Sequence, residues 1–315
     1  MSWKDEAINL YYMGYNHIQI CDKLYFDIGA PNRDATLHRI KRLLANEGLK
    51  QESSSLNVVS ENFIPVESKE KWSGTKKIKF ALMGDTQINS KYTQLTYLHD
   101  FYDKCKLNGV HTVYHTGDID EGEQMRIGHQ YECYTQGADE HVNEIIRVYP
   151  KIEGITTKFI TGNHDASMYK RCGLDIGRAI SDKRSDMIYL GRDCAIINLT
   201  PNCTLELRHP WDGTTYALSY KTQKIIDSMP DNSKPDILAI GHYHKMEQLF
   251  YSGVHAFQTA TFQAQTPFMR GKGISCSIGG WICEVEVNES GCIVDITTKF
   301  IPYSIPIEND YKNFR

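Results

Sequence analysis

Short apolar runs of β type alternate with longer amphipathic runs along most of the chain. From residue 78 onward most of the apolar runs end at a glycine or another turn residue. Helical patterns lie between them, at residues 95–107, 123–147 and 174–182. A repeated order of strand, polar turn and helix predicts an α/β fold in which loops meet at the carboxyl ends of the strands. The strand-rich tail, residues 253–301, is expected to add antiparallel strands.

The first 50 residues have a different, purely helical pattern. Apolar positions at helical spacing predict three helices, separated by Gly14 and by the turn at residues 29–31. The third helix is amphipathic, and it has a basic outer face that carries Arg33, His38, Arg39, Lys41 and Arg42. Three short helices of this kind resemble a helix-turn-helix module, so DNA is a candidate partner of these side chains. The alternative is a helical docking or dimerisation domain whose charged face is only solvated.

A polar stretch rich in Ser, Glu and Lys separates the two patterns. We interpret residues 51–77 as a linker that contains one short strand at residues 57–60. The predicted organisation is therefore a helical domain at residues 1–50, the linker, and an α/β domain at residues 78–315.

Composition narrows the class of protein. The chain has 315 residues, a formal net charge of −4 and 41% hydrophobic residues, which suits a globular protein with one large core. The charge gives no general attraction to nucleic acid or anionic membranes, so such affinity must come from a local patch. No run approaches the ~18 apolar residues of a membrane span, and the start lacks a signal-peptide pattern. Nine singly scattered cysteines without a C-x-x-C motif favour reduced thiols and a cytoplasmic protein.

Five of the predicted strands end in residues that bind metal ions. These residues are Asp85 with Gln87, Asp118, Asn163 with His164, His209, and His242 with His244. Carboxylate, amide oxygen and imidazole are the ligands of divalent ions such as Mn²⁺, Fe²⁺ or Zn²⁺. A single such residue is often only a turn former or a helix cap. Five of them at strand ends of one sheet favour a common metal site.

The series of motifs resembles the calcineurin-like metallophosphoesterases. That family has Asp-x-His, Gly-Asp, Gly-Asn-His-(Asp/Glu), a His after a strand, and Gly-His-x-His, in this order. The matching segments here are residues 84–87, 117–118, 162–165, 209 and 241–244. The resemblance implies a four-layer α-β-β-α sandwich, with the tail completing its two sheets. The small helical module and the helical insert also resemble phage- or mobile-element-encoded members of the family.

The resemblance further implies a dinuclear centre of two divalent metal ions bridged by Asp118. The residues implied for the first ion are Asp85, Gln87 and His244, and those for the second are Asn163, His209 and His242. A metal-bound hydroxide would attack the phosphate in line. His164 would polarise the phosphate or protonate the leaving oxygen, and Asp165 would orient the His164 ring.

Two positions depart from the family pattern. Position 87 is Gln where the family usually has His, and an amide oxygen is a harder and weaker ligand than imidazole. The first site is therefore expected to be looser and to favour Mn²⁺ or Mg²⁺. Mn²⁺ is the expected ion overall, with Fe, Zn²⁺ and Mg²⁺ as alternatives. Pro210 follows His209 where the family usually has Gly, but His209 ends a strand in the right order and is still expected to bind a metal.

Several other polar residues lie near the motifs in the chain. We expect His115 to belong to the core or to the surroundings of the site. His129 and His141 lie in the helical pattern of residues 123–147, where a solvated helix face is the default. Arg126 lies in the segment that lines the substrate groove in the family, so it is a candidate phosphate contact.

A centre of this kind predicts phosphoester hydrolysis but leaves the ester undefined. The basic third helix favours a phosphodiesterase or nuclease that acts on DNA or another nucleic acid. One alternative is a phosphomonoesterase or small-molecule phosphodiesterase whose amino-terminal domain docks a partner. The other is a non-catalytic binding module with a degenerate metal site, although the presence of His164 argues against it. The sequence does not indicate the oligomeric state.

Overall fold

The computed structural model describes residues 2–12, 17–28, 33–46, 66–213 and 215–315. The chain divides into two compact units, Met1–Ile64 and Pro65–Arg315. The strand predicted at residues 57–60 lies outside the described residues. Among the helices that are described, none is both long enough and apolar enough to cross a bilayer.

The first unit contains the three predicted helices, α1 (Trp3–Tyr12), α2 (His17–Leu24) and α3 (Arg33–Asn46). Apolar residues spaced three and four apart place a stripe on each helix, and the stripes pack together. The core that they form consists of Ala7, Ile20, Cys21, Leu24, Ile28, Ile40 and Leu44.

The outer face of α3 carries the predicted DNA contacts. His38, Arg39 and Arg42 are exposed, whereas the side chain of Arg33 lies outside the described part of the chain. Arg39 Nη1 donates a hydrogen bond to the carbonyl oxygen of Ile28 at 3.1 Å. The helix-turn-helix interpretation and DNA binding by this face stay predictions.

The second unit is built on two six-stranded sheets. Sheet I has the order β12-β11-β2-β3-β4-β5, and sheet II has the order β1-β6-β7-β8-β10-β9. The strands are β1 (Val66–Lys69), β2 (Lys77–Met83), β3 (Thr112–His115), β4 (Thr156–Thr161), β5 (Met187–Arg192), β6 (Cys194–Thr200), β7 (Cys203–Arg208), β8 (Ile237–Ile240), β9 (Met246–Tyr251), β10 (Val254–Thr259), β11 (Gly279–Val287) and β12 (Ile293–Pro302). Strands β2 to β5 are parallel, and β11 and β12 extend sheet I in antiparallel fashion.

Helices connect and cover the sheets of this unit. They are α4 (Leu95–Leu107), α5 (Ala138–Val148), α6 (Ala166–Cys172), α7 (Ile176–Lys183), α8 (Leu218–Asp227) and α9 (Pro267–Gly271). Single turns of 3₁₀ helix occur at His129–Tyr131 and Asp231–Ser233, and a longer one at Asp310–Phe314.

Alternation along the strands produces four layers. On β2, Phe80 and Leu82 face an apolar core between the two sheets, whereas Ala81 and Met83 face a second core under α4, α5 and α7. This period of two is the pattern of a strand that is buried on both faces. On the outer face of sheet II, Ile226 of α8 packs in a further apolar cluster. The predicted α-β-β-α sandwich is confirmed.

The second unit begins earlier than the sequence indicated. Residues 66–69, which the sequence placed in the linker, form β1 and pair in parallel with β6. Trp72 packs against the core between the sheets. The strand was missed because its four residues are polar or exposed and carry no alternation that would reveal a buried face.

The segment predicted as mainly helical at residues 123–147 is largely a loop. Only its second part is helical, as α5, and the first part contains one turn of 3₁₀ helix. Gly128 and Gly137 both have a positive φ, at 82° and 94°. A positive φ at these two points prevents a continuous helix. This loop, together with α5, covers one side of the site described next.

Candidate metal centre

The predicted metal ligands meet at one edge of the sandwich. Asp85, Asp118 and Asn163 follow the carboxyl ends of β2, β3 and β4, and His209 and His242 follow those of β7 and β8. The strands are parallel within each group, so their ends point the same way. The sequence placed all of these residues in one sheet, whereas the structure divides them between sheets I and II. Apolar patterns locate strand ends but do not reveal which of two stacked sheets a strand joins.

Asp118 lies at the middle of the cluster and is fully buried. Its Oδ2 is 3.2 Å from His209 Nε2 and accepts a hydrogen bond from Gln87 Nε2 at 3.3 Å. Its Oδ1 accepts from the backbone N–H of His164 at 2.9 Å. One carboxylate thus contacts residues of both predicted ligand sets, which is what a bridging ligand must do.

The ligand set predicted for the second ion is assembled. Asp118, His209 and His242 offer ligand atoms that all lie within 4.8 Å of one another. Asn163 Oδ1 is 3.1 Å from His209 Nε2 and 2.8 Å from His242 Nδ1. A carboxylate, an amide oxygen and two imidazoles therefore surround one position, and this donor set suits a divalent ion.

Backbone carbonyls fix the two imidazole rings. The carbonyl oxygen of Thr116 lies 2.8 Å from His209 Nδ1, and that of Asp212 lies 2.6 Å from His242 Nε2. Since a carbonyl only accepts, these nitrogens carry the protons and the other nitrogen of each ring faces Asn163. This is how ligand histidines are oriented in metal sites.

The Asp118 carboxylate favours a protonated His209 in the metal-free protein. Burial would lower the pKa of His209, but the Asp118 carboxylate raises this pKa to about 10. Burial and the positive charge of His209 lower the pKa of His242 to about 4. A cation that binds here would take over the charge of His209 and displace its proton.

The set predicted for the first ion contains two unsatisfied atoms. Among buried side-chain atoms of the described residues, Gln87 Oε1 and His244 Nδ1 have no hydrogen-bond partner. An unpaired buried polar group costs about 1–3 kcal/mol. His244 Nε2 lies 3.3 Å from Asp85 Oδ1. Gln87 Oε1 is an unpaired oxygen donor of the type that divalent cations bind, and Asp85 Oδ1 and His244 Nε2 lie close together, so the residues present fit such an ion.

Five ligand positions have a strained backbone. Their positive φ angles are 52° at Asp85, 47° at Gln87, 55° at Asp118, 78° at His242 and 56° at His244. A non-glycine residue in this region costs of order 1–3 kcal/mol and persists only where the surroundings enforce it. Ordinary turns would carry glycine or asparagine here. Strain concentrated at these positions therefore indicates a functional site, and the apolar pattern of the sequence gave no sign of it.

Gly162 allows the two halves of the centre to approach. A Cβ at this position would lie 2.4 Å from Asp118 Oδ1 and 2.6 Å from His209 Nε2. The glycine of the Gly-Asn-His-Asp turn is therefore required for close packing against the ligands.

His164 is held beside the ligands. Its Nδ1 donates to the carbonyl oxygen of Glu121 at 2.6 Å, which leaves Nε2 as the nitrogen that can face a substrate. Burial would lower the pKa of His164, but the carboxylates of Asp118 and Glu121 raise it. A ring with these surroundings is suited to donate a proton.

Comparisons with known proteins give only distant matches. No model of a protein family matches the chain, and no curated protein does. An archaeal phosphodiesterase is 13% identical, with 71% of this chain and 100% of that chain covered and a TM-score of 0.41. A predicted phosphoesterase from Streptococcus pneumoniae is 13% identical, with 73% and 99% covered and a TM-score of 0.36. Vps29 with Zn²⁺ from Entamoeba histolytica is 15% identical, with 71% and 99% covered and a TM-score of 0.35.

The architecture agrees with the resemblance that the motifs carry. Two stacked six-stranded sheets have helices on both outer faces, and all five motifs meet at one edge. The chain folds as the four-layer sandwich that the resemblance to the metallophosphoesterases implied. The likenesses to solved structures are distant, so the function of the site rests on its own residues.

Within this sandwich, Asp165 has a different role from the one expected. Asp165 Oδ2 accepts from the backbone N–H groups of Gly162 at 2.8 Å and Ile119 at 3.3 Å, and Oδ1 accepts from that of Asp120 at 2.9 Å. The prediction that Asp165 orients the His164 ring is wrong. The carbonyl of Glu121 does so, because the Asp165 side chain turns back to tie its own turn to the loop after β3.

The sequence missed a buried pair next to His164. His129 was expected on a solvated helix face, but it is fully buried, and its Nε2 lies 2.8 Å from Glu121 Oε1. Glu121 Oε2 accepts from Gln263 Nε2 at 2.5 Å. Glu121, His129 and His164 offer ligand-type atoms within 4.8 Å of one another, but Glu121 and His129 are already bonded within the protein. The pair therefore supports the segment that holds His164.

His141 is also buried, so the prediction of a solvated face is wrong for it as well. Its Nδ1 lies 2.8 Å from Asp120 Oδ1, and its Nε2 lies 3.3 Å from Glu123 Oε1. The polar first turn of α5 packs against the loop after β3, which is why a histidine there is covered. His115 lies in the core beside the site, as expected, and burial lowers its pKa to about 3.

Arg126 lies in the loop after β3 and already has partners in the protein. Its Nη2 is 2.5 Å from Glu132 Oε2, and its guanidinium carbon is 4.4 Å from the ring centroid of Phe268. Arg126 lines an open pocket together with Gln124 and Arg171. Phosphate binding by Arg126 stays a prediction.

Proposed function

We propose that the chain is a phosphoester hydrolase with a dinuclear centre of divalent metal ions. The observation that carries the proposal is the position of Asp118, which contacts Gln87 of one predicted set and His209 of the other. The unpaired buried oxygen Gln87 Oε1 supports it further.

The first ion would be held by Asp85, Gln87 and His244, the second by Asn163, His209 and His242, and Asp118 would be shared. Such ions, when bound, neutralise phosphate oxygens and make an attacking water more acidic. The amide and carboxylate oxygens of the first set favour Mn²⁺ or Mg²⁺ there.

The protein side chains would contribute position and a proton. His164, fixed through Nδ1, would give the proton on Nε2 to the leaving oxygen as the bond from phosphorus to that oxygen breaks. Asp165 would keep the turn that carries Asn163 and His164 in place through its three backbone hydrogen bonds. The strained backbone at the ligands would keep the donor atoms preorganised.

We propose a phosphodiester as the substrate, with a nucleic acid as its first source. Cationic side chains lie on segments at the edge of the sandwich that carries the centre, among them Lys170 and Arg171 of α6 and Arg192 at the end of β5. Several cations around one centre suit a substrate with more than one phosphate. The exposed basic residues Arg39 and Arg42 of the amino-terminal unit also agree with a nucleic acid.

The proposal is tested by hydrolysis of bis-p-nitrophenyl phosphate and p-nitrophenyl phosphate after the protein is stripped of metal and reloaded with Mn²⁺, Mg²⁺ or Zn²⁺. The diester should be cleaved faster, and Asp118→Asn should abolish cleavage. Asp139→Asn, an exposed carboxylate on α5, is the matched control and should retain activity. Faster cleavage of the monoester would show that the preferred substrate is a phosphomonoester. If neither compound is cleaved with any of the ions, the proposal of a phosphoester hydrolase is refuted.

A further inference from the structure

Three exposed aromatic rings near the metal centre each have a cation over them. The pairs are Lys170 with Trp211 at 4.4 Å from the ring centroid, Arg192 with Tyr169 at 4.7 Å, and Arg126 with Phe268 at 4.4 Å. The three aromatic side chains stay 41–48% exposed with the cations in place. We call these six residues the aromatic rim.

Four of the six rim residues lie on segments that follow strands bearing the candidate ligands, Arg192 ends β5, which is parallel to β4, and Phe268 packs on Arg126. Tyr169 and Lys170 belong to α6, which begins directly after Asp165. Trp211 follows His209 by two residues, and Arg126 lies in the loop after β3. The rim is therefore on the same edge of the sandwich as the metal centre.

Contacts join the loop after β3 to the helix after β4. The backbone N–H of Glu123 donates to Ser167 Oγ at 3.0 Å, and the Glu123 carboxylate pairs with Arg171 of α6. The part of the rim around Arg126 is thus continuous with the part around Tyr169.

Residues beside two rim positions contact the site itself. The carbonyl of Asp212, next to Trp211, lies 2.6 Å from Nε2 of the candidate ligand His242. Gln263, shortly before the helix α9 that carries Phe268, donates to Glu121, whose carbonyl holds His164. The rim is therefore tied to the site through Trp211 and through the segment before Phe268.

The cations of the aromatic rim are not all neutralised by carboxylates. Arg126 pairs with Glu132, and the neighbouring Arg171 pairs with Glu123. Within the described part of the chain, no carboxylate forms an ion pair with Lys170 or Arg192. These two cations, each beside an exposed ring, are available to a phosphate oxygen.

We propose that the aromatic rim binds single-stranded nucleic acid and leads it to the metal centre. The inference rests on the proposed function, for which it names the substrate class. Exposed rings can stack on unpaired bases while neighbouring cations contact the phosphates, and this combination is typical of single-strand binding. A duplex keeps its bases stacked on each other, and a small phosphate ester offers no series of bases, so neither would use three separate rings.

Binding is measured by fluorescence anisotropy of a labelled single-stranded oligonucleotide with the full-length chain in EDTA, so that no hydrolysis occurs. Trp211→Ala and Tyr169→Ala should each weaken binding by at least about fivefold. Trp211→Phe, which keeps a ring, should retain most of the affinity. Phe250→Ala removes a 64% exposed ring of β9 and is the matched control.

The charges are tested separately by the salt dependence of binding. Lys170→Glu should weaken binding and flatten the dependence of log affinity on log salt. Lys106 is an exposed lysine on α4, and Lys106→Glu controls for the change in net charge. This variant should change neither the affinity nor its salt dependence. Labelled duplex of the same length should bind more weakly than the single strand.

The variant Arg42→Ala tests whether the oligonucleotide binds to the amino-terminal unit instead of the rim. Loss of binding in Arg42→Ala with unchanged binding in the rim variants would overturn the proposal, and so would tighter binding of duplex. Wild-type hydrolysis of bis-p-nitrophenyl phosphate without oligonucleotide binding would reject the rim and leave the proposed function standing. Oligonucleotide binding through the rim without any hydrolysis would reject only the proposed function.

Discussion

Gln87 donates a hydrogen bond from Nε2 to Asp118 Oδ2 at 3.3 Å, while its own Oε1 is buried without a partner. The donor end of the amide is thus fixed by the Asp118 carboxylate. The acceptor end remains available at the position where the family pattern has an imidazole. In the proposed centre the glutamine would be a preorganised oxygen ligand, and its replacement should act on one metal site more than on the other.

Substitution of Gln87 should separate the two metal sites. Gln87→Ala should weaken binding of one ion by about 10- to 100-fold, the usual effect of a lost contact around a metal. Binding of the other ion should change little, because Asn163, His209 and His242 are untouched. Gln87→His should increase the preference for Zn²⁺ over Mn²⁺. Isothermal titration of the stripped protein measures the number of sites and both affinities.

The control for Gln87 is Gln265→Ala. Gln265 is partly buried and donates to the carbonyl oxygen of Ile274, without contact to the ligands. Equal weakening by both variants, or a wild type that binds no second ion, would contradict the assignment of Gln87.

Metal ions should stabilise the folded protein. At a free Mn²⁺ concentration about 100 times the dissociation constant, the free energy of unfolding should rise by about 2.7 kcal/mol. At about 2–4 °C per kcal/mol, the melting temperature should rise by roughly 5–10 °C. Thermal unfolding with and without EDTA measures this rise. It should vanish in Asp118→Asn, and an equal rise in that variant would mean that the ion binds elsewhere.

His164 and Asp165 should differ in their effect on catalysis. His164→Ala should slow cleavage by about 10²- to 10⁴-fold for esters with a poor leaving group, which need a proton. The loss should be smaller for p-nitrophenyl esters. Rates over a series of esters with leaving groups of different pKa measure the difference.

Asp165→Asn should act through structure. It disturbs hydrogen bonds to the backbone N–H groups of Ile119, Asp120 and Gly162, and the free energy of unfolding should fall by about 1–3 kcal/mol. Its rates should fall by a similar factor for every leaving group. A loss that grows with leaving-group pKa, as for His164→Ala, would show that Asp165 handles the proton.

Gly162→Ala should disrupt the centre without backbone strain. The new methyl group would collide with Asp118 and His209, so metal affinity and activity should both fall. Gly271→Ala adds the same atom where no other atom lies within 4 Å and should have no such effect. A Gly162→Ala protein with normal metal stoichiometry would mean that the two ligands can move apart at little cost.

The stability of the α5 region should depend on pH through His141. Burial would lower the pKa of His141, but the Asp120 carboxylate raises it above the ordinary value of 6.5. A raised folded-state pKa stabilises the fold fully below the unfolded value, and this contribution is lost as pH rises through the folded value. The melting temperature of the wild type should therefore exceed that of His141→Gln most clearly below pH 6.5. The difference should shrink at higher pH.

The control for His141 is His111→Gln, at an exposed histidine. With metal concentration fixed, the melting temperature of this variant should follow that of the wild type across the pH range. A gap between wild type and His141→Gln that widens as pH rises would reverse the sign and refute the prediction.

The ligands could be predicted because each one is next to a local pattern. Asp85 follows the buried run of β2, and His242 follows that of β8. Strand, turn and ligand are adjacent in the chain, so no knowledge of distant contacts is needed. The order of the motifs then made the resemblance to a known family specific.

Other features depend on partners that are far away in sequence. His129 is buried because it pairs with Glu121, which is bonded to Gln263, 142 residues further on. Asp165 binds backbone groups of the loop after β3, 45 and 46 residues earlier. Neither contact leaves a periodic trace in the chain. The same holds for β1, which has no apolar face of its own and is defined by its partner β6.

Because the candidate ligands are divided between two sheets, the apolar core between the sheets takes part in the geometry of the centre. Leu82 of β2 and Leu207 of β7 both lie in the core between the sheets, three and two residues before Asp85 and His209. The thickness of this layer sets the spacing of the two groups of donor atoms. Each proposed ion takes ligands from both sheets, so a methyl group removed between the sheets should change the distances between donor atoms within each site. The interior of the sandwich thus acts as a spacer inside both halves of the centre.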